Sequence, residues 1–185
     1  MEVVDSAYQK YCKKRFLLPS EQEILDVEQR VGVPLPEDYR SFLATYNGGT
    51  FREPDITPTT KECPRDALTF LHGIHATFPA AVLASGHDLA LFDDNFPVEI
   101  LPIGYTMMGG LIILETGEEE RGAILLKEAF GDFYYLCKGI RSFFELLVDP
   151  PTREEQERGL EESKRKVKEG KASNYMGDRL RCKFD

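Results

Sequence analysis

SEQEILDVEQRVGVPLPEDYRSFLATYNGG, Ser20 to Gly49, is the stretch whose local signals agree most completely. Ser20 stands three residues before Glu23, the spacing of a capping box, which satisfies two backbone N–H groups that a helix start otherwise leaves orphaned. Ile24, Val27 and Val31 then fall on one helical face, and Gly32 suits a left-handed stop. Pro34 and Pro36 bar continuation. Pro36 also fits the first position of a second helix, where its missing N–H costs nothing. Tyr39, Phe42, Leu43 and Tyr46 recur at i, i+3, i+4 and i+7, one apolar stripe. Asn47-Gly48-Gly49 closes the helix because these residues tolerate positive φ. The run holds no nucleophile, phosphate cradle or metal-ligand spacing; it specifies shape.

Leu35-Pro36-Glu37-Asp38-Tyr39-Arg40-Ser41-Phe42-Leu43 followed by Tyr46-Asn47-Gly48-Gly49 resembles the N-terminal hallmark of the Smi/Knr-like domains of the SUKH superfamily. Later segments follow in the family's order. Phe70-Leu71-His72-Gly73-Ile74 resembles its "ffGi" strand, and Leu101-Pro102-Ile103-Gly104 with Gly109-Gly110 its "PIG…GG" hairpin. Ser142-Phe143-Phe144-Glu145-Leu146-Leu147 resembles its closing helix. The likeness runs from about Ser20 to Asp149. The insert around Asp55–Arg65 and the charged extension after Pro150 lie outside the pattern.

The rest of the chain reads as helices around a sheet. Glu2–Arg15 has a helical apolar edge at Val4, Tyr8 and Tyr11 or Cys12. Phe51–Arg65, with Pro54, Pro58 and Pro64, reads as an irregular surface loop, and Leu68–Leu71 as a strand. Pro79–Phe92 reads as partly helical, interrupted at Gly86. From Val98 the period changes: Val98–Ile103, Leu111–Glu115, Ala123–Lys127 and Phe133–Cys137 are short apolar runs joined by glycine-bearing turns. Turns this short allow only antiparallel pairing, a meander. Ile140, Phe143, Phe144 and Leu147 restore helical spacing before Pro150-Pro151. The fold class is therefore α+β, an antiparallel meander with helices packed on it. Residues 1–150 form one such domain. Residues 151–185 form a charged extension: Thr152 and Glu155 repeat the capping-box spacing, acidic residues precede Lys164–Lys168, and Leu160 and Val167 are its main apolar anchors.

The formal net charge is −9, with 42% hydrophobic residues. That balance argues against direct binding of nucleic acid or an anionic membrane, which needs positive charge facing phosphate. Met1–Phe16 lacks the apolar core of a signal peptide, and no apolar run is long enough to span a bilayer, so a cytoplasmic location is expected. Cys12, Cys63, Cys137 and Cys182 are dispersed and form no CxxC pair, so reduced thiols are expected.

Candidate chemistry is sparse. His72, His75 and His87-Asp88 match no metal-ligand spacing, and Ser85-Gly86-His87-Asp88 lacks a nucleophile elbow. Gly104–Gly110 lacks the lysine of a phosphate loop and precedes a strand, so it reads as a hairpin turn. No catalytic, cofactor or metal residue is assigned. Asp93, Asp94, Glu118, Glu119 and Glu120 cluster in expected turns and are the candidate contacts for a basic protein partner. The resemblance implies a binding module without catalysis. It implies either an immunity protein neutralising a polymorphic toxin such as a nuclease, or a fungal-type regulatory scaffold. The opposing class is an enzyme of small substrates, metal-dependent or not, using the histidine and acidic loops.

Overall fold

The computed structural model describes residues 2–60, 63–74, 99–129 and 131–152, with scattered positions between 154 and 165. The chain divides into two compact units, Met1–Asp149 and Pro150–Asp185. In the first, the element order is α1 (Glu2–Tyr11), β1 (Cys12–Arg15), α2 (Glu21–Val31), α3 (Glu37–Thr45), β2 (Gly49–Phe51), β3 (Asp55–Ile56), β4 (Asp66–Leu71), β5 (Ile100–Thr106), β6 (Leu111–Glu115), β7 (Ala123–Lys127), β8 (Phe133–Lys138), α4 (Ile140–Glu145) and β9 (Leu147–Val148). The main sheet runs β1-β2-β4-β5-β6-β7-β8, with β3 pairing both β4 and β9. Every neighbouring pair is antiparallel.

The meander forms as its run lengths require, with Leu101 opposite Leu114 and Ile112 opposite Leu126. Its first strand is described from Ile100 and extends through Thr106, so the turn is confined to Met107–Gly110; Val98 lies outside the described residues. Pro102 is tolerated mid-sheet because the register shifts between Pro102 and Gly104. Alternate residues of β5, β6 and β7 face the helices: Leu101, Ile103, Ile112, Leu114, Ile124 and Leu126 share one core with Val4, Tyr8, Ile24, Val27, Tyr39, Phe42 and Phe144. Tyr8, Phe42, Tyr46, Phe51 and Phe144 pack ring to ring at its centre, and Phe42 meets Phe144 at 5.6 Å between centroids.

The α2 capping box is complete. The Ser20 hydroxyl accepts from the Glu23 N–H, Glu23 accepts from the Ser20 N–H at 2.8 Å, and Gly32 ends the helix at φ 82°. Pro36 is the N-cap of α3 rather than its first residue: its ψ of 136° is extended, and its carbonyl accepts from the Arg40 N–H.

The end of α3 makes the pivotal tertiary junction. Asn47 and Gly48 are left-handed, at φ 52° and 71°. Fully buried, Asn47 donates through Nδ2 to the Leu17 carbonyl and accepts at Oδ1 from the Ile74 N–H at 2.8 Å. A Cβ at Gly48 would come within 2.3 Å of the His72 carbonyl, and one at Gly73 within 2.1 Å of the Asn47 carbonyl. The Tyr-Asn-Gly-Gly and His-Gly-Ile segments are therefore two halves of one contact, closed by the Tyr8 hydroxyl donating to the Gly48 carbonyl at 2.5 Å.

Three further expectations are corrected. Cys12–Arg15 continues as strand rather than helix, because Gly49–Phe51 presents a pairing edge and Arg15 lies opposite Gly49. Phe51–Arg65 is not wholly irregular: Phe51 ends β2, Asp55–Ile56 forms β3, and Ile56 and Cys63 are buried. The closing helix stops at Glu145, and Leu147 reaches the core from β9, because the Leu146 carbonyl accepts from the Thr57 N–H and Ile56 pairs with Leu147. The expected helix at Pro79–Phe92 lies outside the described residues.

In the second unit, the Thr152 hydroxyl accepts from the Glu155 N–H and the Glu155 carboxylate accepts from the Thr152 N–H at 2.8 Å, the reciprocal cap expected there. The described residues between Glu154 and Arg165 are helical and exposed.

Candidate partner-binding face

The β6–β7 turn, residues 116–122, holds Glu118, Glu119 and Glu120 exposed. It is a stiff platform. The Thr116 N–H donates to the Glu99 carbonyl, the Gly122 N–H to the Glu115 carbonyl and the Ala123 N–H to the Glu120 carbonyl, at 2.8–2.9 Å. Arg121 reaches back to the Thr116 carbonyl at 3.3 Å and across to the Pro34 carbonyl, tying the turn to the α2–α3 connection.

More carboxylates gather beside it. The Glu99 carboxylate lies so close to Gly117 that a Cβ there would sit 2.5 Å from Oε2. The Glu115 carboxyl is pushed up from its ordinary pKa, first by burial and then by the charges of Glu99 and Glu120. Among the described residues no three such groups converge closely enough to hold a metal ion. The carboxylates therefore share a field without forming a chelate.

The start of α3 adjoins this face, with Pro36 3.9 Å from a Cβ placed at Gly122. It adds exposed Glu37 and Asp38. Asp38 is partly committed: its carboxylate accepts from the Ile140 N–H at 2.7 Å, so a residue of α3 caps α4, where Gly139 has no side chain to do so. A groove of about 470 Å³ between the two helices is lined by Val4, Glu37, Asp38, Ser41, Ile140 and Arg141.

Of the candidate contacts, Glu118–Glu120 stand together on this turn. Asp93 and Asp94 lie outside the described residues, as do His75 and His87. His72 is buried rather than presented: its ring stacks 5.6 Å from both Phe70 and Tyr105, and neither ring nitrogen has a hydrogen-bond partner among the described residues. Burial pushes its imidazole down to about 4, a shift partly opposed by the nearby Pro102 main chain. The thiols of Cys12, Cys63 and Cys137 are free, and burial raises each above its ordinary pKa, against nucleophilic use. Sequence reading missed Glu37, Asp38, Glu99 and Glu115 as parts of the face. Only Gly117 hinted at the Glu99 approach, since a glycine often marks a close neighbour.

The fold is that of an α+β domain whose helices cover one face of an antiparallel sheet. The chain belongs to the SMI1 / KNR4 family (SUKH-1), whose family model matches residues 18–146. The match begins after β1 and ends past α4, so α1, which places Tyr8 in the core, lies outside it. The chain is similar to the SPbeta prophage-derived uncharacterized protein YokK of Bacillus subtilis (strain 168), 26% identical over 160 residues, covering 74% of this chain and 78% of the relative. Among the described residues no helix is long and apolar enough to cross a membrane.

Proposed function

We propose that the SUKH domain is a non-catalytic protein-binding module that docks a basic partner on the carboxylate face, acting in the cytoplasm as an immunity protein against a polymorphic toxin such as a nuclease. One observation carries this reading: Glu118, Glu119 and Glu120 are exposed on a hydrogen-bonded turn, beside Glu99 and Glu115. Carboxylates held on a rigid turn keep their field aligned without an ordering cost on binding. A nuclease presents a basic phosphate-binding cleft; an acidic face both speeds encounter with it and occludes it. The net charge of −9 adds long-range attraction. The prophage origin of the Bacillus subtilis relative fits a role in conflict between genetic elements.

The test is association kinetics with the partner captured from the native host, comparing wild type with the Glu118→Gln, Glu119→Gln, Glu120→Gln triple variant. Charge steering is screened over about 8 Å at physiological salt, so the on-rate falls as salt rises. The triple variant lowers the on-rate and leaves the off-rate nearly unchanged, as rim charges do. An on-rate indifferent to salt and to the substitutions overturns the electrostatic mechanism. Turnover of a small substrate with no protein partner overturns the module reading.

A further inference from the structure

The opposite edge of the sheet carries the opposite charge. Lys13, Lys14 and Arg15 lie on the end strand β1, and Arg52 directly follows its partner β2; all four are exposed. None of them makes an ion pair among the described residues. Most other described bases of this unit are occupied. Lys10 pairs with Asp149, Arg40 with Glu21 and Glu28, Arg141 with Glu145, while Arg121 and Lys127 donate to main-chain carbonyls. Arg30, Arg65 and Lys138 stand singly on three separate segments. Among the described residues of this unit, the largest cluster of bases without an ion pair thus lies along one strand edge.

That edge is shaped as well as charged. Lys13, Phe51, Arg52 and Glu53 line a groove of about 340 Å³. The Arg15 guanidinium is held 5.1 Å over the Tyr8 ring, which fixes its position. The positive charges of Arg15 and Arg52 both reach the Cys12 thiol, opposing the rise that burial causes there. Glu53, at φ 56°, is the acidic member of the groove. Charged residues and a bulge between Cys12 and Lys14 are also what protects an edge strand from aggregating. Protection alone needs neither a groove nor a guanidinium fixed on a ring.

We infer that the β1 edge, with its groove at Lys13, Phe51 and Arg52, is a second interaction surface that binds an acidic, extended protein segment. The segment's carboxylates meet Lys13, Lys14, Arg15 and Arg52. β1 lies four strand steps from β6 in the sheet, about 20 Å at ordinary strand spacing. That exceeds the screening length in physiological salt, so the basic edge and the carboxylate face act independently. The domain can therefore hold a basic and an acidic partner at once.

The experiment is an amide-resolved NMR titration of the full chain with a short synthetic glutamate-rich peptide. Its lysine counterpart and a DNA duplex serve as competing probes. The glutamate peptide should shift Cys12–Arg15 and Phe51–Glu53 and leave Glu118–Glu120 unmoved. The exposed double substitution Lys13→Gln, Arg52→Gln should weaken this binding roughly fivefold, as expected for loss of two exposed charge contacts, with the unfolding midpoint retained. No shift at the β1 edge overturns the inference, as does preferential occupation of it by the DNA duplex or unchanged affinity in the double variant. Because the probe is anionic, its failure leaves the carboxylate-face reading untouched.

Discussion

Replacing Asn47 tests the junction that joins the end of α3 to the segment after β4. In Asn47→Ala the backbone must hold φ 52° without the polar side chain, and two hydrogen bonds vanish. The Ile74 N–H is part-buried, and losing its acceptor costs about 1–3 kcal/mol. Leu17 is 78% exposed, so water replaces Asn47 at its carbonyl and the loss there is nearer 1 kcal/mol. Holding alanine in the left-handed region adds about 1 kcal/mol. The expected destabilisation is about 3–5 kcal/mol, a large share of a domain's total. Asn47→Gly loses the same bonds without the left-handed penalty and should recover about 1 kcal/mol of it. The assay is urea denaturation followed by far-UV circular dichroism, with the slope checked for constancy across variants. A loss below about 1 kcal/mol for Asn47→Ala would refute the junction's weight. A glycine variant no better than alanine would refute the conformational part.

His72 makes a pH prediction. Its imidazole sits at about 4 when folded and at an ordinary 6.5 when unfolded, so between those values the unfolded chain binds more protons. Its contribution is complete above about 6.5 and is lost as pH falls toward 4, by about 3 kcal/mol in all. Melts from pH 7 to pH 4 should show His72→Phe with a shallower decline than wild type; parallel declines would show that this imidazole does not set the slope. For the domain division, a chain ending at Asp149 should keep one cooperative unfolding transition by circular dichroism and lose about 1 kcal/mol or less. Loss of cooperative folding would show that the extension supplies core residues.

What could be read along the chain was whatever neighbouring residues settle among themselves. The Ser20–Glu23 box, the left-handed Gly32, the apolar stripe ending at Tyr46 and the four meander runs depend on backbone preferences and on spacings of a few residues, and all are present. The turn bearing Glu118–Glu120 was legible for the same reason. Tertiary structure decided every feature that needed a distant partner. Cys12–Arg15 became a strand because Gly49–Phe51 lay beside it, and Leu147 became a strand residue because Ile56 did. Asp38 became the cap of a helix 102 residues onward, and Glu99 joined the carboxylate face through its approach to Gly117. A local window carries the free energy of caps, turns and periodic burial. It contains no term for which remote strand edge, carbonyl or charge arrives opposite, and in this domain those arrivals assemble both the Asn47 junction and the acidic face.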